Sequence, residues 1–387
     1  MPSSFPRLLQ DCRSKLEDWA SYWISRSSIY PIKHQRTEVW EQSKPLISVV
    51  IPCYNHGHYL ADAVDSILNQ TWQDFEIIIV NDGSTDPDTI KTLKSFTRPK
   101  TTIIHHTENR GLPATRNTGI KNAVGKYICC LDADDKLHPT YLEKALLVME
   151  TNPGIDFVYS WTQVFGDGDR VWYASQFDPT TLIHFNQLNS PAVLKRQAWE
   201  AVGGFREEMR EGFEDWEFWI RLAYHGYRGY RIPEKLIFVR RVGRSFIHRA
   251  MEIQDRLKED IRRYNPEVYQ DEGWLKSVTA GYREIYPREP FLNLIRDSSY
   301  RGLPSPRLWT VDDFGKGNVV DLCADLPADF HTDIVISSQL LPEEQVDRLL
   351  AWTPYVYILP HYLPRYSWRQ YIEKIWIKLR GGIVLGI

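Results

Sequence analysis

The feature that most constrains this chain is a thrice-repeated pattern: a short, mainly apolar run broken at its C-terminal end by a polar cluster. Leu46 to Ile51 runs into Pro52-Cys53-Tyr54-Asn55, and Phe75 to Val80 into Asn81-Asp82-Gly83-Ser84-Thr85-Asp86. Lys126 to Leu131 runs into Asp132-Ala133-Asp134-Asp135. Apolar runs this short, bounded by turn residues, read as strands buried on both faces. Between them, Leu60, Ala63, Val64, Ile67 and Leu68 fall on one face of a helix, as do Leu142, Ala145, Leu146 and Met149, with Pro139 suited to the first turn. Thr102 to His105 and Asp156 to Ser160 add further strands. Strands alternating with amphipathic helices predict an α/β fold with a mainly parallel sheet flanked by helices. In such a sheet the three clusters share the carboxyl edge, where ligands bind, so together they predict one site. Taken singly, Asp-Gly-Ser-Thr-Asp is also good turn and capping chemistry.

The acidic cluster says most about chemistry. Carboxylates crowded at the mouth of a core repel one another unless a cation offsets them. With no Cys or His ligand motif nearby, oxygen donors suit a hard ion, Mg²⁺ or Mn²⁺, that shares its coordination with water and phosphate oxygens. Solvated surface acids are the plainer alternative. Gly119 to Gly125 followed by Lys126 has five intervening residues and Tyr127 where a phosphate loop needs four and Ser or Thr, and a G-x-G-x-x-G turn is missing.

Composition narrows the partners. The 387 residues carry 47 Lys+Arg against 50 Asp+Glu, a net charge of −3, which gives no footprint for nucleic acid. The longest apolar tracts, Ile77 to Val80 and Tyr127 to Leu131, fall far short of the ~18–20 residues that cross a bilayer. Cys12, Cys53, Cys129, Cys130 and Cys323 are odd in number and lack a C-x-x-C pair, which predicts reduced thiols. With charged residues interrupting Met1 to Trp19, no export signal is visible, and the Asn69-Gln70-Thr71 sequon reads as accidental. The expected location is cytoplasmic.

Four segments are expected. Residues 1–44 form a helical extension whose stripe of Leu16, Trp19, Ala20, Trp23 and Ile24 docks on the main domain. Residues 45–265 form the main α/β domain, with a helical phase at Trp216, Trp219, Ile220 and Ala223 and a charged helix over Ser245 to Tyr264. Residues 266–306 are a linker or helical segment. Residues 307–387 are a smaller α/β segment that reads as incomplete: Asp333 to Ser337 as strand, Pro342 to Trp352 as helix, Tyr355 to Leu359 as strand, Trp368 to Leu379 as helix, and Gly381 to Ile387 as a strand that stops where a domain should continue. Trp368, Tyr371, Ile372, Ile375, Trp376 and Leu379, with Arg369, Lys374, Lys378 and Arg380 nearby, could instead lie on an anionic membrane as a peripheral contact.

Val-Val-Ile-Pro-Cys-Tyr-Asn at 49–55, Ile-Val-Asn-Asp-Gly-Ser-Thr-Asp at 79–86, Asn-Arg-Gly-Leu-Pro-Ala-Thr-Arg-Asn-Thr-Gly-Ile at 109–120 and Leu-Asp-Ala-Asp-Asp at 131–135 resemble the family 2 glycosyltransferases of GT-A fold. The resemblance covers roughly 45–250. It implies a nucleotide-sugar donor, usually linked to UDP, inversion at the transferred carbon, a divalent metal on a DXD motif, and a glycan or lipid-linked glycan acceptor, as in bacterial surface polysaccharide synthesis. By position, Pro52, Tyr54, Asn55, Asp82 and Arg116 would serve the nucleotide, with Asp132 and Ala133 beside ribose or sugar and Asp134 on the metal. Glu214-Asp215 resembles the family's acidic pair, with Asp215 as the base and Glu214 as its reserve; an acidic first turn favoured by the helix dipole is the alternative. Gly203-Gly204-Phe205 resembles the acceptor-side turn. Trp216 could stack on a sugar or belong to the core, as Trp219 is expected to. Arg240 or Ser245 touching phosphate, and His248 on the metal, are further expectations, with a basic turn and a structural histidine as alternatives.

Past 307, Leu308-Trp309-Thr310-Val311, Val319-Val320-Asp321-Leu322, Leu326-Pro327 and Leu359-Pro360-His361-Tyr362-Leu363 resemble the start of a GT-B glycosyltransferase domain, with Asp312-Asp313-Phe314-Gly315-Lys316 where its glycine-rich turn belongs. Two other functions fit parts of the pattern. A nucleotidyltransferase would need a basic pyrophosphate loop near the first strand, which Pro52 to His56 does not offer. An inactive sugar-binding module would keep the pocket without turnover, and the intact Asp134 and Asp215 count against it.

Overall fold

The computed structural model describes residues 45–188, 190–271, 273–274, 307–311, 334–337, 340–351, 353, 355–361, 363 and 383–386. The extension expected over 1–44, most of the linker, Val319 to Pro327, and the Trp368 to Leu379 helix lie outside the described residues. Those described fall into two compact units, one containing 45–274 and the other the described stretches within 307–360 and 383–386.

In the first unit, β1 (Ile47–Cys53), β2 (Phe75–Asn81), β3 (Thr101–His105) and β4 (Tyr127–Cys130) are parallel in the order β3-β2-β1-β4. β1, β2 and β4 are buried almost throughout, because helices cover the sheet, which is why each reads as a mainly apolar run. The crossovers are α1 (Leu60–Leu68), α2 (Pro87–Ser95) and α3 (Leu112–Asn122). Asp86 caps α2 by accepting from the Thr89 amide at 2.8 Å.

Beyond β4 the sheet turns antiparallel. β5 (Lys136–Leu137) follows the acidic cluster, then α4 (Tyr141–Thr151), β6 (Phe157–Gly166), β7 (Arg170–Trp172), α5 (Pro179–Leu182), β8 (Val193–Lys195), α6 (Arg196–Ala201), α7 (Glu214–Tyr224) and β9 (Gly229–Arg241). The order continues β4-β8-β6-β9-β5, with β6 and β9 parallel. The sheet is therefore an α/β sheet with its parallel half carrying the three polar clusters on one edge, as expected. The helix expected over Ser245 to Tyr264 is two helices, α8 (Phe246–Glu252) and α9 (Gln254–Tyr264), because Ile253 between them leaves helical geometry; α10 (Pro266–Gln270) follows. Cys53, Cys129 and Cys130 are free thiols inside the core.

In the second unit, β10 (Arg307–Val311), β11 (Ile334–Ser337), α11 (Glu343–Leu350), β12 (Val356–Ile358) and β13 (Ile383–Gly386) build a parallel sheet in the order β12-β11-β10-β13. Within the terminal run expected as a strand, Ile383 to Gly386 is thus a strand paired with β10. Among the described residues, no helix is long and apolar enough to cross a membrane.

Candidate active site

The clusters after β1 and β2 are tied together by Asn55. Its side-chain oxygen accepts from the Thr85 and Asp86 amides at 2.8 and 2.9 Å, and its own amide donates to Ser84 Oγ at 3.1 Å. It adopts φ 59°, a conformation asparagine tolerates better than most residues. Beside it Tyr54 stands 42% exposed, whereas Pro52 is buried at the strand end.

Asp82 is buried and saturated. Its two oxygens accept from the Arg110 and Gly111 amides, both at 2.9 Å, and Oδ1 also meets His106 Nδ1 at 2.7 Å. His106 reaches Thr118 with its other nitrogen at 3.0 Å. The carboxylate therefore fixes the loop that starts α3. Gly83 allows the loops this close: at φ 64°, a Cβ there would sit 2.4 Å from the Glu108 carbonyl carbon.

Helix α3 delivers Arg116, only 1% exposed, into the middle of the site. One terminal nitrogen donates to Asp132 Oδ1 at 2.9 Å and the other to Glu214 Oε1 at 2.6 Å. Residues 82 positions apart in sequence (132 and 214) thus meet on one guanidinium. Burial first, and the negative charge of Asp132 in addition, raises the carboxyls of Asp134, Asp135, Glu214 and Asp215, so the acidic groups of both motifs sense one common charge.

Within that cluster the side chains divide. Asp132 and Asp134 are partly open, at 35% and 28% of their side-chain surface, with Ala133 buried between them. Burial, then repulsion from Asp132, holds the Asp134 carboxyl above its ordinary range, with His56 opposing at 4.0 Å. Asp135 is buried and accepts the Arg240 amide at 2.9 Å, which fastens the acidic loop to β9. The Arg240 guanidinium lies between the rings of Tyr59 and Phe165 and donates to the Asp134 carbonyl and Asp62. It braces the loop from below.

Glu214 and Asp215 open α7. Phe213 before them has φ 59°, an unfavourable conformation for a bulky residue, and its ring packs edge-on against Trp216 at 5.4 Å. Glu214 turns inward onto Arg116. Burial pushes its carboxyl up to about 7, against the pull of Arg116. Asp215 is half-buried and also raised by burial; its Oδ1 accepts the Trp216 amide at 2.7 Å and faces the Asn186 amide at 3.5 Å. Trp216 is core: it is 5% exposed and its indole donates to the Leu182 carbonyl at 2.6 Å. Trp219 is core as expected, its ring tilted against Phe157 at 5.1 Å. Gly203 and Gly204, both with positive φ, lead into Phe205, whose backbone bonds Asn117. Ser245 and His248 cap α8 together.

Sequence reasoning missed Asn186, His56, His106 and the unusual Phe213. Asn186 lies in an irregular stretch with no period or motif to mark it. His106, directly after β3 at the same sheet edge, was findable from the strand-end rule.

The acidic group fits a divalent ion only in part by itself. Among the described residues no three His, Cys, Asp or Glu side chains gather as ligands. Two partly open, mutually repelling carboxylates, Asp132 and Asp134, nonetheless suit Mg²⁺ or Mn²⁺, which take one or two carboxylates and complete their shell with phosphate oxygens and water.

Residues 48–216 match the family described as glycosyl transferase family 2. An uncharacterised glycosyltransferase of Methanocaldococcus jannaschii is 29% identical over 237 residues, 54% of this chain and 79% of its own length. One from Rickettsia felis is 44% identical over 186 residues, 46% of this chain but 30% of its own length, so the chain spans under a third of that relative. Among solved structures, Staphylococcus aureus TarS 1–349 in complex with UDP-GlcNAc aligns with TM-score 0.46 and 18% identity over 53% of this chain and 61% of its own.

Proposed function

We propose, on the match of residues 48–216 to glycosyl transferase family 2 and the likeness to an uncharacterised glycosyltransferase, that the chain is an inverting, metal-dependent glycosyltransferase that moves a sugar from a nucleoside diphosphate, UDP being the family's usual carrier, to a hydroxyl of a growing glycan. A bacterial surface polysaccharide, built on the cytoplasmic side, is the product class this reading favours. The observation that carries it is Arg116, which holds the donor-side Asp132 and the acceptor-side Glu214 on one group.

In this reading Tyr54, exposed at the sheet edge, covers the nucleotide base, while Pro52, Asn55 and Asp82 shape its pocket by holding the strand-end loops. Arg116 acts by positioning, since its terminal nitrogens are already spent on two carboxylates. Asp134, with Asp132, holds the Mn²⁺ or Mg²⁺. That ion, when bound, neutralises the charge on the departing diphosphate, so no general acid is required.

Asp215 is the base. The bond from the anomeric carbon to the β-phosphate oxygen breaks as the acceptor oxygen bonds that carbon from the opposite face. The acceptor's proton passes to Asp215, whose Oδ1 is fixed by the Trp216 amide while the other oxygen is left to receive it. Burial raises the affinity of Asp215 for that proton. Glu214, turned inward onto Arg116, keeps the helix start in place.

The test is a screen of UDP-, GDP- and dTDP-sugars for Mn²⁺-dependent hydrolysis or transfer, repeated on Asp215→Asn. The reading expects turnover with at least one donor and a fall on the order of 10²–10⁴-fold in Asp215→Asn. Full turnover by Asp215→Asn would assign the base elsewhere; no turnover with any donor would favour an inactive binding module.

A further inference from the structure

Ten large hydrophobic side chains are exposed among the described residues, and four of them, Val242, Phe246, Ile247 and Met251, fall within ten positions on and just before α8, each 39–52% exposed. Over the same stretch, 240–251, the sequence carries Arg240, Arg241, Arg244 and Arg249 and no acidic residue. Arg240 is used internally, but Arg244 and Arg249 are on the surface, with Arg249 lying over the Phe246 ring at 5.7 Å. Arg244 pairs with Glu252 across open surface, where such a pair holds weakly.

The inner side of α8 is already committed. Ala250 is fully buried, and a Cβ on Gly212, three residues before Asp215, would come within 2.6 Å of it. The helix is thus seated against the segment that leads into α7, with its apolar and basic side chains facing away. An acidic protein partner would account for the arginines and leave four apolar side chains without a purpose. An anionic bilayer accounts for both, because apolar side chains enter the acyl boundary while arginines stay with the phosphates.

We propose that residues 242–251 are a peripheral docking surface for an anionic membrane. The surface adjoins the acceptor side of the site, so a membrane-borne acceptor would be delivered to Asp215. The docking claim does not depend on the donor: vesicle binding needs no turnover, and its failure would leave the proposed transfer untouched.

The full chain is sedimented with phosphatidylglycerol–phosphatidylcholine vesicles and with phosphatidylcholine vesicles alone. The expected result is binding to the anionic vesicles only, weakened by salt. Ile247→Ser/Met251→Ser and Arg244→Glu/Arg249→Glu should each weaken it roughly tenfold or more with unchanged circular dichroism. Three results would overturn the proposal: no binding to anionic vesicles; binding that survives both double variants and is lost in Trp376→Ser, which assigns it to the C-terminal segment; or dimerisation in light scattering that Ile247→Ser/Met251→Ser removes, which makes the patch an interface between copies.

Discussion

Arg116 is the residue on which the two halves of the site depend. Removing a buried charge from its partners leaves them uncompensated, so Arg116→Ala should lose about 3–5 kcal/mol in urea unfolding. Arg116→Lys keeps the charge but not the two-pronged geometry, and should fold while losing most turnover. The neighbouring carboxyls predict the pH response. Glu214 rises from its ordinary 4.5 to about 7 in the folded protein. Between those values the folded state binds more protons than the unfolded one, so its contribution is complete below about pH 4.5 and is lost as pH rises through about 7. Thermal unfolding between about pH 5 and about pH 8 should therefore show a falling stability that Glu214→Gln flattens; an unchanged slope in the variant would refute the assignment. Since Asp215 must be deprotonated to act, and burial raises it, the acid limb of kcat/KM should lie above the ordinary carboxylate range. Motifs singled out Arg116, Asp132, Asp134, Glu214 and Asp215 in the sequence, and the fold brings them together. Their arrangement was not legible, because nothing in the sequence says that Glu214 turns inward while Asp215 stays half open.

At the scale of elements, the strands that carry the site were read well and the rest less so, for physical reasons. β1, β2 and β4 are covered on both faces and so are mainly apolar runs, in which Ser48 of β1 donates to Glu76 of β2. α3 shows no apolar period, since Arg116, Asn117 and Thr115 are buried beside Ala114 and Ile120; it was visible only through its motif. β9 was hidden by Pro233 and the charged Arg231, Glu234 and Lys235. Its pairing with β6 slips there, from Ser160 opposite Ile232 to Trp161 opposite Lys235, which lets a proline stay in the strand. Glu234 is buried against Lys144 at 2.6 Å. The packing of α3 on β1 gives a prediction: a Cβ on Gly119 would sit 2.2 Å from Val50 Cγ1. Gly119→Ala should cost ~1–3 kcal/mol, partly recovered in Gly119→Ala/Val50→Ala, as read by urea denaturation. Equal stability of Gly119→Ala and the unaltered protein would contradict that packing.

For the whole molecule, the parallel half-sheet supplies the edge on which strand-end loops gather, and the antiparallel half, through β5 and β9, closes the acidic loop from its far side. The second unit is a parallel sheet of β10 to β13 and adds none of the residues proposed for catalysis. The central claim, that donor-side and acceptor-side acids act in one site with separate tasks, is tested most directly by calorimetric titration of UDP and GDP, with and without Mn²⁺, into the full chain, Asp134→Ala and Asp215→Asn. The account predicts Mn²⁺-dependent nucleotide binding that Asp134→Ala abolishes and Asp215→Asn leaves nearly intact; equal metal-dependent binding by Asp134→Ala and the unaltered protein would contradict it.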